Sequence, residues 1–355
     1  MTRILTDFPN RRLAAVTGEN RRKTGSYRTI LSLFALTFLI LFSLTSCASG
    51  TSGKEGVTKA TSKDGKVEMV RIGEGGLATW AFTPASPRPE SAPVVLFLHG
   101  YRATDPYAYG GWIDHIVRSG NIVLFPIFEE DRDSPAERSM NNAIEGAKRA
   151  LQKLKADGPV KPDTSRFAIV GHSFGGGLST VIAAQAKDVG LPTPKAVMAV
   201  QPGWQGDADD FPAKYLSSMP SSVLLMVVEG DKDQFEDSRV SETILERTSN
   251  VPKDRKRLLV IHTNEEQGDP GLADHYAPLS PNEEYKLEAT TRRQERRKNI
   301  VSFIMGIRDG ETSSLDRKGF WKLFDTLTDS AFRNGGIERA VDSVQGGAGP
   351  RVTVE

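Results

Sequence analysis

The stretch AIVGHSFGGGLSTVIA, residues 168–183, decides how the rest of the chain is read. It begins inside RFAIVGH (166–172), an apolar run of the kind expected for a buried strand. It then passes through Gly-His-Ser-Phe-Gly and continues into a segment of small residues that reads as a helix. Alone, G-x-S-x-G is a weak motif, because glycine and serine are common turn residues. A strand before it and a helix after it give it a specific meaning: the serine is held at a sharp corner with its hydroxyl exposed above a sheet. Gly171 and Gly175 let strand and helix approach closely, since a Cβ at either would clash. The helix start places a positive dipole end beneath the point where an oxyanion would form. Ser173 is therefore the candidate nucleophile, and a plain glycine-rich turn is the alternative.

Outward from that corner the chain alternates strand-like and helical patterns. KVEMVRI (66–72) and GLATWAFTPA (76–85) read as opening strands. VVLFLHG (94–100) and NIVLFPIF (121–128) are continuous apolar runs, expected for strands buried on both faces of a parallel sheet. KAVMAV (195–200), SVLLMVVEG (222–230) and RLLVIHT (257–263) continue the series. Between them Ile144, Ala147, Leu151 and Leu154 share one helical face, and helices are expected over about 238–248 and, long and charged, over about 282–305. The pattern predicts an α/β fold with a doubly wound, mostly parallel sheet. The connection over 201–221 is too short for a large cap domain, so the cleft should be shallow and accessible. Beyond it, Phe320, Trp321, Leu323, Phe324 and Leu327 form an apolar stripe at helical spacing, expected to pack on the parent core. The final GGAGPRVTVE is expected to be loose.

The first 65 residues have a different character. Residues 1–28 hold seven basic side chains against two acidic ones, whereas the whole chain carries only +1, so the body is mildly acidic. A basic face for nucleic acid is therefore not expected. An uncharged apolar run over 29–45 follows, short for a span of about 20 residues. With the small residues after it, it reads as an export signal. Leu44-Thr45-Ser46-Cys47 resembles a bacterial lipobox, and Cys47 is the chain's one cysteine, so no disulfide can form within it. The expectation is a lipidated Cys47 that anchors an exported envelope lipoprotein to a membrane, with an uncleaved signal anchor as the alternative. Residues 48–65 are then a small, polar tether, residues 66–306 the catalytic domain, and residues 307–355 a C-terminal helical extension and tail.

The elbow GHSFGGG and the strand-and-loop VVLFLHGY together resemble the α/β-hydrolase superfamily. The nearest groups are cutinase-type polyester hydrolases, chlorophyllases and dienelactone-hydrolase-like esterases. That resemblance implies a serine esterase or lipase-type hydrolase that acts on small or polymeric esters through an acyl-enzyme. The oxyanion-hole donors it implies are the backbone amides of Phe174 and Tyr101, while His99 would brace its loop. Chain order in the family is serine, acid, histidine. Only His262 and His275 follow Ser173, and His275, in the loop GLADHYAPLS, lies where the family keeps its base. Among the acids of EGDKDQF, Asp233 fits a Gly-x-x-Asp turn and Asp231 is the reserve. Tyr101 and Trp204 are candidates for substrate contact, although Trp204 could equally be packing. No cofactor is implied, and five scattered histidines with one cysteine offer no metal-ligand cluster. A peptidase, thioesterase or acyltransferase on the same residues, or a non-catalytic envelope binding lipoprotein, are the rival readings.

Overall fold

The computed structural model describes residues 59–130, 134–235, 238–263, 271–287, 312–345 and 350–355. The predicted leader, Cys47, most of the tether and most of the charged helix expected over 282–305 lie outside the described residues. What is described of that last segment opens as a 3-10 turn, Glu283–Tyr285.

Ten strands form one sheet. They are β1 (Lys59–Thr61), β2 (Val67–Ile72), β3 (Thr79–Pro84), β4 (Ser91–Leu98), β5 (Ile122–Pro126), β6 (Lys161–His172), β7 (Ala196–Val200), β8 (Leu224–Gly230), β9 (Lys256–Ile261) and β10 (Val352–Val354). Their spatial order is β1-β2-β3-β5-β4-β6-β7-β8-β9-β10. The six from β5 to β9 run parallel, and the antiparallel pairings are confined to β1, β2 and β3 on one side and β10 on the other. Helices α1 (Gly110–Arg118), α2 (Ala136–Asp157), α3 (Phe174–Gln185) and α4 (Ser238–Arg247) are the crossovers, followed by α5 (Trp321–Phe332) and the short α6 (Glu338–Asp342). Among the described residues no helix is long and apolar enough to cross a membrane.

The continuous apolar runs are explained by burial on both faces. In β4, Val95 and Phe97 enter one core with Trp112 of α1, while Val94, Leu96 and Leu98 enter the opposite core with Ile144 of α2. β8 divides in the same way, with Met226 and Val228 on one face and Leu225 and Val227 on the other. A strand sandwiched between helix layers has no solvent face, so its period-2 signal is erased and only its apolarity remains. At the α1–α5 seam, Trp112 meets Phe324 edge-on at a ring separation of 6.2 Å. The predicted apolar stripe is therefore core, and α5 belongs to the layer that covers β6 and β7.

Two sequence expectations change at the sheet edges. Lys59–Thr61, read as tether, pairs antiparallel with β2. The tail, read as loose, ends in β10, where Val352, Thr353 and Val354 pair with Ile261, Val260 and Leu259. Both are three-residue edge strands, too short to announce themselves, and Val352 is buried against the core. Between β7 and β8 the chain makes only two 3-10 turns, Ala208–Asp210 and Ala213–Ser218, with no cap domain inserted there.

Candidate active site

The segments that follow the carboxyl ends of β4, β6, β7 and β8, together with the loop after β9, line one cleft, as expected for ligand sites of open α/β sheets. Ser173 leaves β6 as the N-cap of α3 with φ 55° and ψ −125°. A residue with a Cβ in this region is strained by about 1–3 kcal/mol and persists only when its surroundings over-determine it. Here the Ser173 amide donates to the Val200 carbonyl at 3.0 Å, and its own carbonyl accepts from the amides of Gly176, Gly177 and Gly203. The glycines do what the sequence required of them. A Cβ on Gly171 would lie 2.0 Å from the Gly175 carbonyl oxygen, and one on Gly175 would lie 2.2 Å from that of Leu98.

The other two side chains arrive from β8 and from the loop after β9. Ser173 Oγ donates to His275 Nε2 at 2.9 Å, and His275 Nδ1 donates to Asp233 Oδ2 at 2.7 Å. The Asp233 side chain is fully buried, and its other oxygen accepts the Phe235 amide at 2.9 Å. The turn that presents it closes with the Asp233 amide on the Gly230 carbonyl. An acceptor on Nδ1 fixes the tautomer that leaves Nε2 free to take the serine proton. The reserve residues are elsewhere: Asp231 and His262 bond to each other and do not line the cleft.

Tyr101 and Phe174, the residues expected to supply oxyanion donors, flank Ser173 in the cleft wall. Their loop is held from several sides. A Cβ on Gly100 would come within 3.3 Å of Ser173 Cβ, so this backbone lies directly against the elbow. His99 stacks flat on Phe128 with centroids 3.9 Å apart, and its Nδ1 donates to the Gly100 carbonyl, the bracing role expected for it. The buried Glu129 accepts the Arg102 amide at 2.5 Å, where the backbone has φ 65°. Sequence reading missed Glu129; nothing in the run of charged residues that follows Phe128 marks its first member as a loop anchor.

The cleft has a volume of about 910 Å³ and is walled by Tyr101, Trp204, Phe235, Tyr276, Val240 and Leu279 around Ser173 and His275. Trp204 both lines it and packs edge-on against Phe174 and Phe211, at 5.4 and 5.2 Å. Phe235 is another residue the sequence did not single out. It is 60% exposed and edge-on to the His275 ring at 5.5 Å, so it projects over the base rather than into the core. No group of three or more His, Cys, Asp or Glu among the described residues is placed to hold a metal ion.

A family model described as Chlorophyllase matches residues 81–228. The match begins in β3, ends in β8 and includes Ser173, but it stops before Asp233 and His275. No curated protein matches the chain. The match and the mostly parallel sheet are consistent with the α/β-hydrolase superfamily, and the match points to hydrolysis of esters.

Proposed function

We propose that this protein is a serine hydrolase that cleaves carboxylic esters through a Ser173–His275–Asp233 triad and an acyl-enzyme. The observation that carries the reading is the unbroken hydrogen-bonded series from Ser173 Oγ through the His275 ring to the buried Asp233 carboxylate. In the proposed sequence Ser173 Oγ attacks the acyl carbon as its proton passes to His275 Nε2. Asp233 stabilises the imidazolium that results without itself taking the proton. The Tyr101 and Phe174 amides receive the oxyanion, each donor contributing about 3 kcal/mol to the transition state. His275 then returns the proton to the leaving alcohol, and a water activated by the same ring releases the acid. An open cleft with aromatic walls favours esters with apolar groups on either side of the carbonyl, whether small molecules or exposed chain segments of a polymer.

Fluorophosphonate labelling tests this directly. Wild type is expected to label at Ser173 and to hydrolyse a series of p-nitrophenyl esters, while Ser173→Ala does neither. A folded wild type that neither labels nor turns over any ester would overturn the reading. Faster turnover of a matched thioester or amide would reassign the acyl donor.

We also propose that the protein is exported and tethered to a membrane through a lipid on Cys47, which rests on the lone cysteine placed after Leu44-Thr45-Ser46 and the apolar run. Incorporation of labelled fatty acid into wild type and its loss in Cys47→Ser are the expected results. A wild type without lipid would leave the signal-anchor reading.

A further inference from the structure

Beside the cleft, and outside the three residues just described, lies a chain of buried polar groups with a defined direction. The Gly100 amide donates to the Tyr109 hydroxyl at 2.9 Å. The Tyr109 oxygen lies 2.8 Å from His172 Nδ1, and His172 Nε2 lies 2.8 Å from the backbone carbonyl oxygen of His275. A carbonyl can only accept, so His172 Nε2 carries a hydrogen. Tyr109, already accepting from Gly100, then donates its own hydrogen to the bare Nδ1. Kept neutral by its burial, His172 is confined to a single tautomer. Tyr109 is fully buried, and burial pushes its phenol well above the usual range, so it remains a donor. Burial, reinforced by the neighbouring His275, holds the His172 imidazole well below its usual value.

The endpoints of this chain give it meaning. Gly100 belongs to the loop that precedes Tyr101, His172 immediately precedes Ser173, and the third contact is on the main chain of His275 itself. The last two residues are 103 positions apart in sequence. A second grip acts one residue earlier: Gln201, buried at the end of β7, donates from Nε2 to the Asp274 carbonyl at 2.8 Å. Two buried side chains from adjacent strands therefore hold consecutive carbonyls of the loop that carries the base. A polar pair buried only for packing needs each partner satisfied by the other. This pair instead ends on two backbone segments that have to be spaced correctly for proton transfer and oxyanion binding.

We propose that His172, locked in one tautomer by Tyr109, is a positioning residue that sets the spacing between the oxyanion loop and the His275 loop around Ser173. The proposal rests on the esterase reading of the site. His172 does not touch the reacting atoms. Its Nε2 hydrogen places the base backbone and its Nδ1 fixes the oxyanion loop through Tyr109, so both halves of the reaction geometry are referred to the residue before the nucleophile.

The test uses full-length His172→Asn, His172→Gln, Tyr109→Phe and Ser173→Ala, with kcat and KM measured separately on a soluble short-chain ester and folding followed by thermal melts. A glutamine amide reaches the position of imidazole Nε2, whereas an asparagine amide reaches only that of Nδ1. Misplacement of a catalytic group by about 1 Å can cost about 10²-fold, so His172→Asn should lower kcat by about 10²-fold with KM within about twofold. Restoring the donor, His172→Gln should recover kcat to within about fivefold of wild type, and Tyr109→Phe should lower it by about tenfold. Equal kcat losses in His172→Asn and His172→Gln, losses carried by KM, or wild-type kcat in Tyr109→Phe would each overturn the proposal. Should His172→Asn not fold, Tyr109→Phe and His172→Gln decide by the same criteria. Ser173→Ala separates the two levels: full activity in that variant removes the esterase reading, whereas an inactive Ser173→Ala beside unaffected Tyr109→Phe removes only the positioning role.

Discussion

Two histidine–aspartate pairs stand at the ends of β8 and β9, each with a hydroxyl on the ring's other nitrogen. In one, Asp233, His275 and Ser173 are linked at 2.7 and 2.9 Å. In the other, Asp231 and His262 are 3.3 Å apart and His262 Nε2 is 3.0 Å from Thr353 Oγ1. By residue type the two are nearly interchangeable. They differ in what surrounds the hydroxyl. Ser173 is forced to positive φ at the start of α3 and faces an open cleft. Thr353 lies within β10, opposite Val260, its backbone committed to the ladder. The acids differ as well. Asp233 is sealed from solvent, whereas Asp231 is partly exposed and spends its second oxygen on the Thr263 amide and hydroxyl. Burial pushes the Asp231 carboxyl up, but the bonds from Thr263 and His262 outweigh that and hold it below the usual carboxylate range. The first has the arrangement that the proposed proton transfer needs, whereas the second fastens an edge strand.

The largest expected effect is on turnover. Ser173→Ala and His275→Ala should each lose about 10⁴- to 10⁶-fold in kcat, while folded His262→Ala stays within about threefold of wild type. An inactive His262→Ala beside an active His275→Ala would exchange the roles of the two pairs. The acids sharpen the contrast. Asp233→Ala should cost about 10⁴-fold, because the base loses its tautomer control. Asp231→Ala should keep its turnover and lose about 1–2 kcal/mol of stability in urea melts, since hydrogen bonds to a partly exposed carboxylate are removed.

A smaller effect tests the fastening role. Deleting residues 350–355 removes Thr353 and the buried Val352, and should cost about 2 kcal/mol in the same melts with kcat per folded molecule unchanged. A large fall in kcat would mean that the second pair supports the first.

The smallest effect concerns pH. His172 is held neutral in the folded protein, with His275 and Tyr109 as the ionisable groups against it. Its folded value is depressed, so its contribution is complete above the unfolded histidine value of about 6.5 and is lost as pH falls below it, when only the unfolded chain takes up the proton. Wild type should therefore lose up to about 1.4 kcal/mol per pH unit between about pH 6 and 5 relative to His172→Gln. Parallel stability profiles for the two proteins would show that His172 is charged in the fold.

The alternation of apolar strands and amphipathic helices, and the Gly-x-Ser-x-Gly corner between two of them, were legible in the linear chain because each is a local pattern. Residues 168–183 alone required the strand, the crowded turn and the helix, and chain order narrowed the base to two histidines and the acid to a few residues after β8. Residue type alone does not separate Asp233 from Asp231 or His275 from His262; the family resemblance, through a Gly-x-x-Asp turn and a loop after the strand, is what favoured Asp233 and His275. In the fold, strand register and loop return carry His275 across to β6 and leave His262 against β10. The edge strands, the Glu129 anchor, and the course from Gly100 through Tyr109 and His172 to the His275 carbonyl were settled only by folding. Hydrogen bonds between residues 63 and 103 positions apart leave no periodic trace in sequence; they exist because the sheet brings the ends of its strands together.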